Sequence, residues 1–367
     1  MTGTSIDALD AAAVRIRGTG LAMRAEFVAG ATRGLGPLAT GLRELAEQRP
    51  MTAGAIAGLS REFALLHAGL VADLLASARI DRSSVELVSV HGQTVFHQPP
   101  VSWQMFSPAV LAHELGLAVV SDLRGADLAA GGQGAPITPL ADWVFFRGAS
   151  STAVVNLGGF CNITLLGPDD PASSAGSVAS IRGFDLCACN HLLDTLAREL
   201  LGKPYDAGGT AALAGRAEPG ATRELAELLS RQARSGRSLG TGDELGLFIQ
   251  RRRHSTSPGD LCAAACAALG ACIGAACAGA PRVLLAGGGT RNAALLNAIT
   301  GACVGGASTT DAAGLPAEFR EAAHMGVLGA LCADGVPITL PGVTRPAGPA
   351  PVAGVWAGLG RGAPERT

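Results

Sequence analysis

S-T-A-V-V-N-L-G-G-F-C-N-I-T-L-L, residues 151–166, reads as a strand, a Gly turn and a second strand, hence a hairpin. P-R-V-L-L-A-G-G-G-T-R-N-A-A-L-L, residues 281–296, reads as a strand, a Gly turn and a helix. A third turn, T-G-T-S-I-D at 2–7, precedes the short apolar strand A-A-A-V-R-I at 11–16. Without a Cβ, the backbone of such turns approaches a ligand closely and aims its N–H groups at it. The helix that follows Gly287–Gly289 adds a dipole favourable to anions. Each turn alone is equally a plain tight turn. Three of them after or between strands suggest a bound nucleotide.

Outward from these turns the order is strand and helix in alternation. Leu35–Gln48 and Ala53–Arg79 read as helices, the second with Ile56, Leu59, Phe63, Leu66, Leu70 and Leu74 at helical spacing. V-E-L-V-S-V-H (85–91) is a buried strand that delivers His91 to its end. S-P-A-V-L-A-H-E-L-G (107–116) is a helix with a Ser N-cap, Pro at the first position and a terminal Gly, and a strand follows at 117–124. I-R-G-F-D (181–185) ends a strand on Asp185, and Cys189–Leu201 is helical. This order predicts an α/β architecture.

The chain has 367 residues, which at about 150 per domain means about two domains. The loop at 131–139, which opens G-G-Q-G-A-P, is the expected boundary. Residues 1–130 with 341–367 then form an N-terminal lobe, and 131–340 a C-terminal lobe. With 48% hydrophobic and 16% charged residues, disorder is excluded as the main state. A net charge of −2 and 4% aromatics give no platform for nucleic acid. The only lysine, Lys203, precedes Pro, so neither a P-loop nor a protein-kinase strand lysine is available. Nine cysteines in a long chain point to reduced thiols and a cytoplasmic location. The apolar stretch 261–279 is rich in Ala, Cys and Gly and reads as a buried helix, so no membrane is expected.

Asp185, at a strand end, either acts as a base or caps the following helix. His91, Gln93, Thr94 and His97 suit sugar hydroxyls or a carboxylate; a zinc site would need ligands that are missing nearby. Arg124 and Asp127 either contact a sugar or brace structure, and Glu321 lies on a helix as a solvated residue or a sugar contact. Cys187 and Cys189 read as small packing residues.

M-T-G-T-S-I-D-A-L-D, H-G-Q-T-V-F-H, S-D-L-R-G-A-D-L-A-A-G-G-Q-G-A-P, N-L-G-G-F-C-N-I-T, G-F-D and G-G-G-T-R-N occur in this order. They resemble the anhydro-N-acetylmuramic acid kinase family, within the sugar-kinase, actin and Hsp70 superfamily, over nearly the whole chain. The resemblance implies a two-lobed actin-like ATPase (ribonuclease H-like) fold, with mixed sheets flanked by helices and a central cleft. It implies ATP and Mg²⁺, and phosphorylation of O6 of 1,6-anhydro-N-acetylmuramic acid with hydrolytic opening of the anhydro bridge, in cell-wall recycling. Homodimers are implied as well. By the same resemblance Gly3, Thr4, Ser5, Ile6, Asp7, Ala8, Leu9 and Asp10 form the first phosphate hairpin, with Mg²⁺ on ATP near Asp7. Asn156, Gly158 and Gly159 form the second, and Gly287, Gly288, Gly289 and Asn292 the adenosine loop. Asp10 is also readable as a structural residue of the next turn, and Asn292 as a helix cap. Asp185 matches the family's base; His91, Gln93, Thr94, Arg124, Asn190 and Glu321 are the expected sugar contacts.

The chain departs from the family at three places. D-L-C-A-C-N (185–190) stands where the family has D-T-G-P-G-N, R-S-L-G-T-G (237–242) replaces P-K-S-T-G, and Ala8 replaces Gly. The first departure reshapes the sugar wall, so another anhydrosugar such as levoglucosan, or a non-catalytic binding relative, is the alternative. Family members also have a short strand before the first motif, where this sequence starts at Met1; an upstream start is the expectation.

Overall fold

The computed structural model describes residues 1–3, 6–170, 172–235 and 244–358. Twelve strands occur among the described residues: β1 (Ala8–Arg17), β2 (Arg24–Gly34), β3 (Leu87–Ser89), β4 (Gln93–Gln98), β5 (Val101–Met105), β6 (Ala118–Ser121), β7 (Thr152–Leu157), β8 (Phe160–Leu166), β9 (Arg182–Ala188), β10 (Arg282–Ala286), β11 (Ser308–Thr309) and β12 (Val355–Ala357). Helices stand between them, so the chain is α/β with mixed sheets flanked by helices, the class expected. Packing divides it into two units. One comprises Met1–Phe145, Pro171–Ile181 and Phe319–Thr367; the other comprises Phe146–Asp170 and Arg182–Glu318.

In the first unit β1 and β2 form an antiparallel ribbon, β4 and β5 a hairpin, and β12, β6 and β3 a three-stranded sheet. Thr52 caps the Ala53–Ser77 helix by accepting from Ala55 N–H at 3.2 Å. The Pro108–Leu115 helix has its Pro at the first position and ends on left-handed Gly116 (φ 58°), as expected. Ser107 occupies the N-cap position but makes no capping bond, because its backbone is not in the extended geometry that aims the hydroxyl at the helix (φ −118°, ψ 86°). Within the expected strand at 85–91 the register with β6 runs over Leu87–Ser89, and Val90 N–H continues it to Val120 O at 2.8 Å.

The facing edges of β1 and β3 line a groove of about 510 Å³, flanked by the Ala53–Ser77 and Arg320–Ala333 helices. Close approach in this layer depends on small residues. A Cβ on Gly329 would stand 2.6 Å from the Ser89 side chain.

A buried ion pair ties the Pro139–Phe146 helix to the Arg320–Ala333 helix. Arg320 donates from Nε to Asp142 Oδ1 at 2.9 Å and from Nη2 to both carboxylate oxygens, with both side chains almost fully buried. A bidentate, desolvated pair of this kind fixes orientation as well as distance. It therefore sets the start of the helix that carries Glu321.

The second unit is built on one sheet in the order β11-β10-β7-β8-β9. β7 runs parallel to β10 and antiparallel to β8, and β8 is antiparallel to β9. The Pro258–Ala276 helix lies in its core, against the Ala293–Ala302 helix. Gly270 and Gly274 allow that approach, since Cβ atoms there would fall 2.7 Å from Ala298 and Ala302. This helix and Ala53–Ser77 have the length and apolar composition of a membrane span, yet both carry buried faces packed into protein cores.

Candidate active site

The second unit brings two Gly turns onto one asparagine. β7 ends at Leu157 and β8 begins at Phe160, so Gly158 and Gly159 make the reversal. Their carbonyls are taken by the chain entering the Asn190–Leu196 helix. Asn190 N–H donates to Gly158 O (3.0 Å), and Cys189 and His191 N–H donate to Gly159 O (2.9 and 3.1 Å). Among the described residues no protein acceptor takes the N–H groups of Gly158 and Gly159, or those of Gly288 and Gly289. Unpaired N–H groups at the half-buried Gly158 and Gly159 and the exposed Gly288 are the chemistry that anionic ligands satisfy.

Asn190 lies against both turns. Its Nδ2 donates to Leu157 O at 3.1 Å, and its Oδ1 is 3.1 Å from where a Cβ of Gly289 would stand. The expected sugar contact thus has its amide committed beside the Gly turns. Asn156 is buried between the same turns, with Oδ1 2.7 Å from a Cβ position on Gly287. Gly287 adopts φ 85°, a conformation that favours Gly. Asn292 caps the Ala293–Ala302 helix, accepting from Leu295 N–H at 3.0 Å, so its side-chain oxygen is used within the fold.

Asp185 faces Asn162 across the β8–β9 ladder, beside a register shift at Cys161/Asn162. Cys161 pairs with Cys187, so Leu186 is the extra residue of a bulge. Bulges re-aim side chains. Here Leu186 and Cys187 are both buried while Asp185 is exposed. The following helix is not capped by any side chain, which leaves the Asp185 cap reading without support. Partial desolvation nevertheless raises the Asp185 pKa above the ordinary aspartate value, which makes its carboxylate a better base. Cys187 and Cys189 are buried in the apolar core, as packing residues would be.

In the first unit Thr4 and Ser5 lie outside the described residues, and in the second so does the loop at 237–242. Ile6 and Leu9 are buried in the core with Leu35 and Leu42, so their side chains are closed to a ligand. Ile6 O accepts from Arg43 Nη2 at 2.8 Å. Asp7 is exposed, and its Oδ1 accepts the N–H of Ala8 at 2.9 Å. Asp10 Oδ1 accepts from Thr32 Oγ1 at 2.6 Å across the ribbon, a structural contact.

A polar cluster forms where β3, β4 and the chain after β6 meet. Arg124 Nη2 donates to His91 Nε2 at 3.2 Å, and Thr94 Oγ1 lies 3.4 Å from the same nitrogen. Burial first and the Arg124 charge second hold the His91 pKa well below its ordinary value, so the ring is neutral. Burial also lowers the Arg124 pKa to about 10, opposed by the Glu321 charge. Gln93 is buried and committed: it accepts from Thr2 Oγ1 and donates to Thr94 O. Asp127 does not brace Arg124; it accepts from Gly134 N–H at 2.6 Å and from Thr344 Oγ1 at 2.5 Å. Among the described residues no three His, Cys, Asp or Glu side chains are grouped to hold a metal ion.

Mixed-sheet α/β architecture with donor-rich Gly turns at strand ends suits a nucleotide-using phosphotransferase, and the family match shows that class. The sequence model described as anhydro-N-acetylmuramic acid kinase matches residues 1–355. An anhydro-N-acetylmuramic acid kinase of Bordetella parapertussis is 34% identical, over 94% of this chain and 91% of the relative. One from Salinibacter ruber is 32% identical over 94% and 91%. Among solved structures the chain is similar to the activator of 2-hydroxyisocaproyl-CoA dehydratase from Clostridium difficile with bound ADPNP. There the TM-score is 0.44 and the identity 11%, covering 88% of this chain and 94% of that one. The chain belongs to the anhydro-N-acetylmuramic acid kinase family.

Proposed function

We propose that this chain transfers the γ-phosphoryl group of ATP to O6 of 1,6-anhydro-N-acetylmuramic acid while water opens the anhydro bridge, giving N-acetylmuramate 6-phosphate. The observation that carries the reading is the family match across residues 1–355. The Gly turns converging on Asn190 support it. The N–H groups of Gly158 and Gly159 hold phosphate oxygens, and Gly288 with Gly289 holds the adenosine side. Asp185 takes a proton from water as its oxygen forms a bond to C1. The C1–O6 bond breaks with its electron pair on O6, O6 bonds to the γ-phosphorus, and ADP leaves with the electron pair of the broken P–O bond. The neutral His91, Arg124, Thr94 and Glu321 bind the sugar's hydroxyl and carboxylate groups, where a desolvated guanidinium favours an anion.

An exposed carboxylate at a turn fits a hydrated Mg²⁺, so Asp7 would meet the ion through water. The ion supplies charge neutralisation on the β- and γ-phosphates. ATP use and nine free cysteines support a cytoplasmic location.

The test is a coupled ATPase assay with and without the anhydrosugar, followed by mass spectrometry in ¹⁸O-water. The expected product is heavier by one phosphoryl group and one water, with the label at C1. ATP binding without turnover on this sugar would reject the substrate and send the assay to levoglucosan. Absence of ATP binding would reject the kinase reading.

A further inference from the structure

His191 lies on the Gly158–Gly159 turn and has no place in the roles above. Its N–H donates to Gly159 O at 3.1 Å, and its ring meets Phe160 edge-on, with centroids 4.9 Å apart at 70°. Its Nε2 stands 2.5 Å from where a Cβ of residue 159 would be. Any side chain at 159 would displace the imidazole, so Gly159 is required by His191 as much as by a ligand. The residue is nevertheless exposed. The ring is held on two sides, by the turn and by Phe160, and adds little to a core. It brings a nitrogen donor to a turn whose own N–H groups lack protein acceptors. The chain's single lysine, Lys203, lies in a different loop, after the helical segment that ends at Leu201.

We propose that His191 is a phosphate-binding residue of the nucleotide site, donating from Nε2 to a phosphate oxygen of ATP held on the Gly158–Gly159 turn. This rests on the reading of that turn as nucleotide-binding. A histidine donor here adds to the backbone N–H groups one further hydrogen bond to the phosphate.

Two variants of the full chain separate contact from packing. His191→Phe keeps an aromatic ring against Phe160 and removes both nitrogens. His191→Gln keeps a donor. The measurements are KM for MgATP against kcat at saturating sugar, ATP affinity by calorimetry, and Tm without nucleotide. His191→Phe is expected to raise KM and Kd for ATP about tenfold, with the loss in KM rather than kcat. His191→Gln should recover most of it, and Tm should stay near wild type in both. Wild-type affinity in His191→Phe would overturn the proposal. So would equal losses in both variants with a lowered Tm, which mark a purely structural ring. A wild-type chain that binds no ATP would instead overturn the reading of the turn, and this assignment with it.

Discussion

Gly288 and Gly289 are neighbours in one turn, yet a side chain meets opposite surroundings at the two positions. A Cβ on Gly288 finds nothing nearer than Asn190 Nδ2 at 3.8 Å, and its φ is not left-handed. Gly288→Val should therefore leave the fold intact, with a stability change within about 1 kcal/mol. A Cβ on Gly289 would fall 2.7 Å from Leu157 Cβ and 3.1 Å from Leu157 O. Gly289→Ala should cost about 1–3 kcal/mol by overpacking. For nucleotide binding the order reverses in meaning. Valine at 288 covers the N–H face of the turn, and one lost hydrogen bond to the neutral adenosine is worth about 0.5–1.5 kcal/mol, roughly 2- to 13-fold in affinity. Calorimetric titration with ATP, paired with thermal unfolding of the free chain, separates the two effects. Gly288→Val with wild-type ATP affinity would refute the assignment of this turn to the nucleotide, whatever Gly289→Ala does.

Asp185→Asn should retain ATP and sugar binding and lose about 10²- to 10⁴-fold in kcat, and near-normal turnover would remove the base role. Because Asp185 titrates above the ordinary aspartate value, wild-type kcat should rise with pH through that raised pKa, and the limb should vanish in the Asn variant. Arg320→Ala removes the bidentate partner of the buried Asp142 carboxylate, leaving His324 Nε2 at 3.3 Å, and should cost about 3–5 kcal/mol in urea unfolding, whereas replacing both Arg320 and Asp142 with apolar residues should recover most of it. His67 is buried with Nδ1 on Phe63 O at 2.8 Å, and burial lowers its pKa to about 3. A histidine lowered on folding stabilises above its unfolded pKa and loses that contribution as pH falls. The first unit should therefore weaken between about pH 6.5 and 3, at up to about 1.4 kcal/mol per pH unit. Acid titration of His67→Phe should show the shallower slope.

What the sequence made legible was local. The Gly turns at 158–159 and 287–289 and the Asn292 cap are written in contiguous residues whose conformational needs do not depend on distant partners. The placement of Asn190 was not, because it takes two turns about 130 residues apart in the chain, gathered by the β10–β7 pairing, to surround one amide. The β9 bulge was equally hidden, since an extra residue shows only against the strand it fails to match. Ile6 and Leu9 sit within the stretch expected to form a phosphate hairpin, yet their side chains serve the core. Asp142 carried a faint signal, one carboxylate in the apolar run P-L-A-D-W-V-F-F, but its partner Arg320 lies 178 residues away.

The groove between β1 and β3 has a consequence for how the first unit comes apart. No backbone ladder crosses it among the described residues, so the β1–β2 ribbon is coupled to the β12-β6-β3 sheet through helices and side chains alone. Cooperativity across that seam rests on the Ala53–Ser77 and Arg320–Ala333 helices. In native-state hydrogen exchange the amides of β1 that face the groove should open by local fluctuation, well below the global unfolding energy, while those of β6, paired on both sides, should exchange only with the whole unit.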